Sequence, residues 1–202
     1  MLDKQRMLGD LEVAHAIHIG DKEVLFLLDP QNAETPYIVS YNQKMPGLGF
    51  DFPTESVGST DYLEMMEEFL RRVQGQITQV RDDRARFDEP QEVFTQAQCL
   101  PPSKEPERLV GRVVVIKPEV LRAEYRNMAH QIVYVVGGFG AEANARGSKV
   151  FGTNVFSGER SDWGRPDVLG ILDPAHAPAW VKPGVNAIRA QQKSKGGKEH
   201  GK

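Results

Sequence analysis

Two short, continuously apolar runs constrain the fold more than any other feature of this sequence. They are the segments 113–116 and 132–136, and Gly137-Gly138-Phe139-Gly140 follows the second segment directly. Runs of this length, rich in valine and bounded by glycine or polar residues, predict β-strands. Two further apolar segments, around 150–151 and at 168–172, complete a set of four. We therefore predict a β-rich module over residues 109–182, with one short helix over 119–125 after Pro118.

The first part of the chain shows a different pattern. Apolar residues alternate with small or polar ones over 12–19, a more continuous apolar run follows over 23–28, and aromatic and β-branched residues occupy 37–41. These three segments predict an antiparallel β-meander. Glycines, prolines and isolated aromatic residues over 45–58 predict a loop that packs over the sheet.

A helix is predicted after that loop. Asp61 and Glu64 form a start that resembles a capping box, and polar residues such as Glu67 and Arg71 occupy one side of the predicted helix. The opposite side carries apolar residues at helical spacing: Tyr62, Met65, Met66, Phe69, Val73, Ile77 and Val80. Residues 1–83 are therefore predicted as a β-β-β-α module. The fold class is α+β, with an N-terminal antiparallel β-meander and one amphipathic helix, then a second β-rich module with a short helix.

Two segments lack the periodicity of a regular element. Residues 84–108 are rich in charges, glutamines and prolines and predict a semi-rigid linker, although Val93 and Phe94 leave open whether part of it packs on a module. Residues 183–202 carry five basic residues against Glu199 alone, with Gly196-Gly197 among them. This composition predicts a disordered, cationic tail.

The composition excludes several classes of protein. The 202 residues carry a net charge of −3, so any nucleic-acid contact requires a local basic patch. The single cysteine, Cys99, excludes an internal disulfide framework, and His15 and His18 would point to opposite faces of a strand. No apolar run approaches the roughly 20 residues that span a bilayer. We expect a cytoplasmic protein with no membrane contact, no cofactor and no metal site.

The glycine-rich segment 137–149 invites a comparison with phosphate-binding loops, since glycines let backbone N–H groups approach an anion. A P-loop requires Gly-Lys-Ser/Thr before a helix, whereas here Gly147-Ser148-Lys149 has the reversed order and leads into a strand. We therefore predict that these glycines serve turns or close backbone packing.

A set of polar residues in and around the second module is the candidate functional site. If the loops converge, His130 could act as a general base beside arginines that stabilise negative charge on a phosphate, as in a metal-independent nuclease. The alternative for His130 is a structural hydrogen-bonding role at the head of a strand. The remaining residues are predicted to contact phosphates or a partner protein: Arg126, Asn144, Arg146, Lys149, Arg160 and Arg165. The cationic tail would add salt-dependent affinity.

Several segments resemble accessory proteins of bacterial conjugative and integrative elements. In the second module the resemblance rests on 115–121, 124–126, 130–131, 144–147, 150–151, 157–159 and 165–167; in the first it rests on 15–24 and on 61–62 with Phe69, Arg72, Val73 and Gln76. The resemblance covers most of the chain outside the linker and tail, and it transfers no catalytic residue. It implies a mobile-element protein that counteracts host defence, of the anti-restriction or anti-CRISPR type, by binding a defence nuclease or its RNA or DNA. Two alternatives remain: a ribonuclease-like enzyme that cleaves guide or other RNA, and a module that binds protein alone.

Overall fold

The chain divides between Asp88 and Glu89 into two units, each built on its own five-stranded antiparallel sheet. The computed structural model describes residues 6–44, 51–101, 107–144 and 147–196. Both units combine a sheet with helices, so the predicted α+β class, with an N-terminal meander, one long helix and a β-rich second part, is confirmed.

The first unit is a meander whose strands pair in chain order. Each strand is antiparallel to its neighbours. One long helix, α1, follows the sheet. The elements are β1 (Met7–Leu8), β2 (Leu11–Ile19), β3 (Lys22–Leu28), β4 (Tyr37–Lys44), β5 (Asp51–Ser59) and α1 (Tyr62–Arg86).

Helix α1 starts at the predicted residue and packs on the central strands. The side chain of Asp61 accepts hydrogen bonds from the backbone N–H groups of Leu63 and Glu64, at 2.8 and 3.3 Å, which satisfies two donors of the first turn. Alternate residues of β3 and β4 face the helix and form one buried apolar cluster with it: Val24, Phe26, Val39, Met65 and Phe69.

The prediction of a loop over 45–58 is wrong for its second half. Residues from Asp51 onward form β5, which pairs with β4 as the last strand of the sheet; residues 45–50 lie outside the described part of the chain. Pro53 and Gly58 gave this segment its loop-like composition. An edge strand tolerates proline, because one of its sides has no neighbouring strand to receive an N–H donor.

The second unit is built on a sheet with antiparallel strands throughout. Its strand order is β10 (Val168–Ile171), β6 (Val113–Ile116), β7 (Ile132–Gly137), β8 (Lys149–Asn154) and β9 (Arg160–Gly164). The predicted short helix is present as two 3₁₀ turns, at Pro118–Val120 and Ala123–Tyr125, followed by one turn of α-helix. This turn is α2 (Met128–Gln131), and the last helix of the unit is α3 (Val181–Gly196).

Both faces of this second sheet are covered at its centre. Val115, Ile132 and Tyr134 belong to a buried cluster that includes α3, whereas Val114 and Val133 belong to a separate cluster on the opposite face. A strand buried on both faces needs apolar residues at every position, which explains the continuous apolar runs in the sequence.

The predicted linker is wrong for residues 89–101, because this segment belongs to the second unit. Phe94 and Cys99 are buried in the cluster beside α3, and Cys99 forms a β-bridge with Leu172. Residues 84–86 continue α1, and residues 102–106 lie outside the described part of the chain. The segment has few apolar residues, but those few are inserted into a core supplied by distant parts of the sequence.

The predicted disordered tail is wrong for residues 183–196, which lie in α3. Val181, Val185 and Ile188 are buried against the sheet at helical spacing, and Lys182, Arg189 and Lys193 occupy exposed positions of the helix. Gly184 permits this contact, since a Cβ there would lie 2.5 Å from the backbone oxygen of Val155. Residues 197–202 lie outside the described part of the chain.

Candidate functional site

A groove of about 600 Å³ lies in the second unit between the β8–β9 pair and the C-terminal half of α3. It brings together residues from four elements that are far apart in the sequence. Its lining is Val136 from β7; Phe151, Gly152 and Thr153 from β8; Gly158 before β9; Arg160, Ser161 and Asp162 from β9; and Ile188, Gln191 and Gln192 from α3.

The strand register explains which side chains face the groove. Phe151 is opposite Asp162 across the β8–β9 pair, and Thr153 is opposite Arg160. Directly opposed residues of an antiparallel pair project from the same face, so these four side chains share the face that α3 covers elsewhere. Val150, the residue before Phe151, lies in the cluster on the opposite face.

Phe151 is the most unusual member of this group, because 47% of its surface is exposed on the floor of the groove. Helix α3 buries Ile188 against the sheet but leaves the phenyl ring of Phe151 in solvent. A large apolar side chain exposed in a concave, polar-rimmed surface is a common feature of binding sites.

The charged residues of the β8–β9 face differ in their availability. Lys149 forms an ion pair with Asp162, and its hydrogen bond lowers the pKa of the Asp162 carboxyl. The guanidinium of Arg160 makes no hydrogen bond or ion pair with the part of the chain that the structure describes. Arg160 is therefore the residue of this face that can bind an incoming anion without first breaking a contact.

Helix α3 contributes the uncharged residues Ile188, Gln191 and Gln192 to the groove and carries positive charge outside this lining. Residues 181–196 include four basic residues and no acidic one. Nε of Arg189 donates a hydrogen bond of 3.1 Å to Oη of Tyr134, and its guanidinium lies over the Tyr134 ring. This contact fixes one cation of α3 against the sheet. The four residues are Lys182, Arg189, Lys193 and Lys195.

His130, the predicted catalytic residue, lies outside this groove, in α2 just before β7. Its Nε2 is 3.3 Å from Oε1 of Glu89, and its ring centroid is 4.5 Å from that of Tyr125. Nδ2 of Asn127 donates a hydrogen bond of 2.6 Å to the same carboxylate oxygen. Sequence reasoning missed Glu89 because this residue lies 41 positions earlier, in the segment predicted as a linker.

Two of the predicted arginines hold the backbone. Arg165 donates from Nη1 to the backbone oxygen of Gly140 at 2.6 Å and from Nη2 to that of Glu107 at 2.7 Å. Arg126 donates from Nε to the backbone oxygen of Leu121 at 3.0 Å. Both side chains therefore fix loops, which is a structural role that loop composition alone does not reveal.

The predicted site residues do not converge on one site. Lys149 and Arg160 share the β8–β9 face, whereas His130 and Arg126 lie before β7 and the guanidinium of Arg165 binds beyond its other end. The six residues of β7 span roughly 20 Å, so His130 and Arg165 cannot act on one small group.

Two predicted residues remain apart from both groups. Asn144 is exposed in the turn after β7, and Arg146 lies outside the described part of the chain. Arg160 is the one predicted site residue among the described residues that line the groove. Sequence reasoning missed Phe151, whose segment predicts only a strand, and Gln191 and Gln192, whose helix was not predicted.

The prediction for the glycine-rich segment is confirmed for Gly138 and Gly140. A Cβ on either residue would lie 2.4 Å from a backbone oxygen of the segment leading into β8, Lys149 for Gly138 and Ser148 for Gly140. These glycines therefore allow the turn after β7 to pack directly on β8.

Within the described residues, no three His, Cys, Asp or Glu side chains are arranged as metal ligands. Among the helices of the same part of the chain, none is long and apolar enough to cross a membrane. Comparison of the chain with protein-family models, with curated proteins and with solved structures finds no match. Its function has therefore to be inferred from its own residues.

Proposed function

We propose that the second unit binds single-stranded nucleic acid in the groove between β8–β9 and α3. The observation that carries this proposal is the exposed ring of Phe151 in a groove that the guanidinium-bearing Arg160 also lines. An exposed aromatic ring on a sheet is a stacking surface for a nucleobase, and stacking contributes about 1–3 kcal/mol per base.

The charges around Phe151 suit a phosphate backbone. Arg160 lines the groove and has a guanidinium without a partner in the described chain. Helix α3, which contributes Gln191 and Gln192 to the lining, carries basic residues and no acidic one. A paired base presents no open face to an aromatic side chain, whereas an unpaired base does, so the groove favours a single strand over a duplex. The overall charge of −3 confines this attraction to the local surface.

We propose further that this binding serves a mobile element against host defence. The resemblance of both units to accessory proteins of conjugative and integrative elements supports this setting, and the bound strand would be the guide RNA or the DNA of a defence nuclease. A chain that binds such a strand withholds it from the nuclease without cutting it. Restriction and CRISPR interference assays in cells that express the chain test this part separately from the binding itself.

Fluorescence anisotropy with labelled single-stranded RNA, single-stranded DNA and duplex DNA tests the binding. We expect Phe151→Ala and Arg160→Gln to weaken single-strand binding, the former by about 5- to 150-fold if one base stacks on the ring. The matched controls are Leu63→Ala and Arg81→Gln, which remove an exposed apolar and an exposed basic side chain from the first unit. Equal weakening by the controls, or no binding by the unmodified chain, contradicts the proposal.

One observation favours a second function, that of a ribonuclease-like enzyme. The carboxylate of Glu89 is positioned at Nε2 of His130, and a carboxylate that orients an imidazole is a recurrent feature of general bases. The predicted anion-stabilising residue Arg165 is remote from His130, so this function ranks second. Incubation of the chain with RNA tests this function, because cleavage products should be absent for His130→Ala. His176→Ala is the control, since it removes another histidine that is paired with an acid, Asp173, and the products should persist.

A further inference from the structure

Two cross-strand pairs of β8 and β9 divide the groove into two chemically different halves. Phe151 lies opposite Asp162 in one pair, and Thr153 lies opposite Arg160 in the other. The two pairs are two residues apart, which is about 7 Å along a strand. Among the described residues that line the groove, Arg160 is the only basic one and Asp162 is the only acidic one. The two opposite charges therefore belong to different halves.

The carboxylate of Asp162 needs an explanation in a groove for nucleic acid, because a carboxylate repels phosphates. The phosphate contact therefore belongs to Arg160, and Asp162 lies in the half that contains the stacking ring of Phe151. The Cβ atoms of directly opposed residues in an antiparallel pair are about 4.5–5.5 Å apart. The Asp162 carboxylate is thus placed beside the edge of a base that stacks on this ring.

Lys149 orients this carboxylate and keeps it ionised. Its Nζ donates a hydrogen bond to Oδ2 of Asp162, and this contact lowers the pKa of the Asp162 carboxyl, which is therefore charged at neutral pH. An ionised carboxylate accepts hydrogen bonds and donates none. Within the described part of the chain, Oδ1 of Asp162 accepts no hydrogen bond from another side chain. This oxygen is open to a donor from a ligand.

We propose that Asp162 selects a guanine stacked on Phe151, a selectivity that rests on the proposed binding of a single strand in this groove. An unpaired base is read at its Watson–Crick edge. Guanine presents two adjacent donors there, N1–H and the N2 amino group, which suit a carboxylate. Adenine and cytosine present one amino group beside a ring nitrogen that accepts. Uracil and thymine present one N–H between two carbonyls. Each of these four bases therefore sets a lone pair against the carboxylate.

Fluorescence anisotropy of the unmodified chain with labelled single strands tests the selectivity. The strands have equal length and carry one guanine, one adenine or one hypoxanthine within a run of thymines. We expect the guanine strand to bind about 5- to 150-fold more tightly than the adenine strand, the range given by a bidentate contact to a base. Hypoxanthine lacks the N2 amino group and should bind less tightly than guanine. A 7-deazaguanine strand keeps both donors and should bind as guanine does.

Asp162→Asn tests the residue itself. The amide keeps the shape of the side chain but removes the charge and one acceptor, so the guanine and adenine strands should bind equally. The adenine strand should bind at least as tightly as before, because the change removes a repulsive charge and releases Lys149. Glu159→Gln is the matched control, since it removes the same charge from an exposed position outside the groove lining and should keep the guanine preference. Circular dichroism verifies that each variant is folded.

The outcomes separate the selectivity from the binding. Equal affinity of the unmodified chain for the guanine and adenine strands, with both weakened by Phe151→Ala, overturns the selectivity while it supports single-strand binding in the groove. A guanine preference that persists in Asp162→Asn, or is lost equally in Glu159→Gln, overturns the role of Asp162. No binding of any strand contradicts the proposed function and the selectivity together.

Discussion

The side chain of Gln131 holds the backbone of Phe94 as a neighbouring strand would. Its Oε1 accepts from the N–H of Phe94 at 2.8 Å, and its Nε2 donates to the carbonyl of Phe94 at 2.9 Å. The same Nε2 donates to the carbonyl of Ile116 at 3.0 Å. One fully buried amide thus attaches the segment after α1 to the second sheet.

Gln131→Ala should destabilise the second unit by about 2–4 kcal/mol, because three hydrogen bonds are lost and buried backbone groups are left unsatisfied. Urea denaturation monitored by circular dichroism measures this change. Gln192→Ala, an exposed residue of the same unit, should change stability by less than about 0.5 kcal/mol. An equal change in unfolding free energy for both variants would show that the hydrogen bonds of Gln131 do not stabilise the second unit.

The first unit should lose stability in acid through Glu23. Arg6 donates two hydrogen bonds to this carboxylate, at 2.6 and 2.8 Å, and Asn42 donates a third at 2.7 Å. The contacts with Arg6 and Asn42 lower the pKa of Glu23 from 4.5 to about 2. Since the folded pKa lies below the unfolded value, the stabilisation is complete above pH 4.5 and is lost as the pH falls toward 2.

Melting temperatures of the full chain and of Glu23→Gln, recorded from neutral pH to about pH 2, test this expectation. The difference in melting temperature between the two proteins should be largest above pH 4.5 and should disappear as the pH falls toward 2. A gap that stays constant across this range would mean that protonation of Glu23 is not linked to folding.

Two adjacent glycines should respond very differently to alanine. Gly138 has a φ of +108° and no room for a Cβ beside Lys149, whereas a Cβ on Gly137 would meet nothing within 4 Å. Gly138→Ala should therefore cost at least about 1–3 kcal/mol in backbone strain, before the clash with β8 is added. Denaturant titration measures the unfolding free energy of both variants. An equal loss of stability for Gly137→Ala would contradict the assignment of strain and close packing to Gly138.

Helix α3 should contribute to stability in a way that a disordered tail cannot. Ile188 is buried against the second sheet, so Ile188→Ala should cost about 2–5 kcal/mol of unfolding free energy. Lys193→Ala, at an exposed position of the same helix, should have little effect. If Ile188→Ala proves neutral, the packing of α3 on the sheet is not part of the folded state in solution.

The salt dependence of nucleic-acid binding should identify the phosphate contact of Arg160. The logarithm of the association constant falls linearly with the logarithm of the salt concentration. Between about 50 and 200 mM salt, this slope should be shallower by about one for Arg160→Gln than for the unmodified chain. Phe151→Ala should weaken binding without changing that slope, because a stacked base releases no counterion. Identical slopes for Arg160→Gln and the unmodified chain would remove Arg160 from the proposed interface.

Elements with their own local pattern were predictable from sequence. Alternation and a capping residue identified the central meander strands and the start of α1, and continuous apolar runs identified β6 and β7. Segments whose few apolar residues pack against distant parts of the chain were not predictable from sequence. Residues 89–101 need Gln131 and the second sheet, β5 needs β4, and α3 needs the apolar face beside Tyr134.

The candidate site divides in the same way. Sequence reasoning named Lys149 and Arg160 as candidate anion-binding residues and His130 as a candidate base, because residue type alone suggests that chemistry. It did not show that Lys149 is paired with Asp162. It could not show that Arg165 holds a backbone turn or that Phe151 is exposed in a groove.

The sequence by itself determined which segments could become strands and helices, because hydrophobic periodicity is a local property of the chain. Only the tertiary structure decided which faces of those elements are covered. The exposure of Phe151 depends on how far α3 extends over the sheet, and the partner of His130 is a carboxylate 41 residues away. Burial and side-chain pairing depend on contacts between distant parts of the chain, so they are established only when the chain has folded.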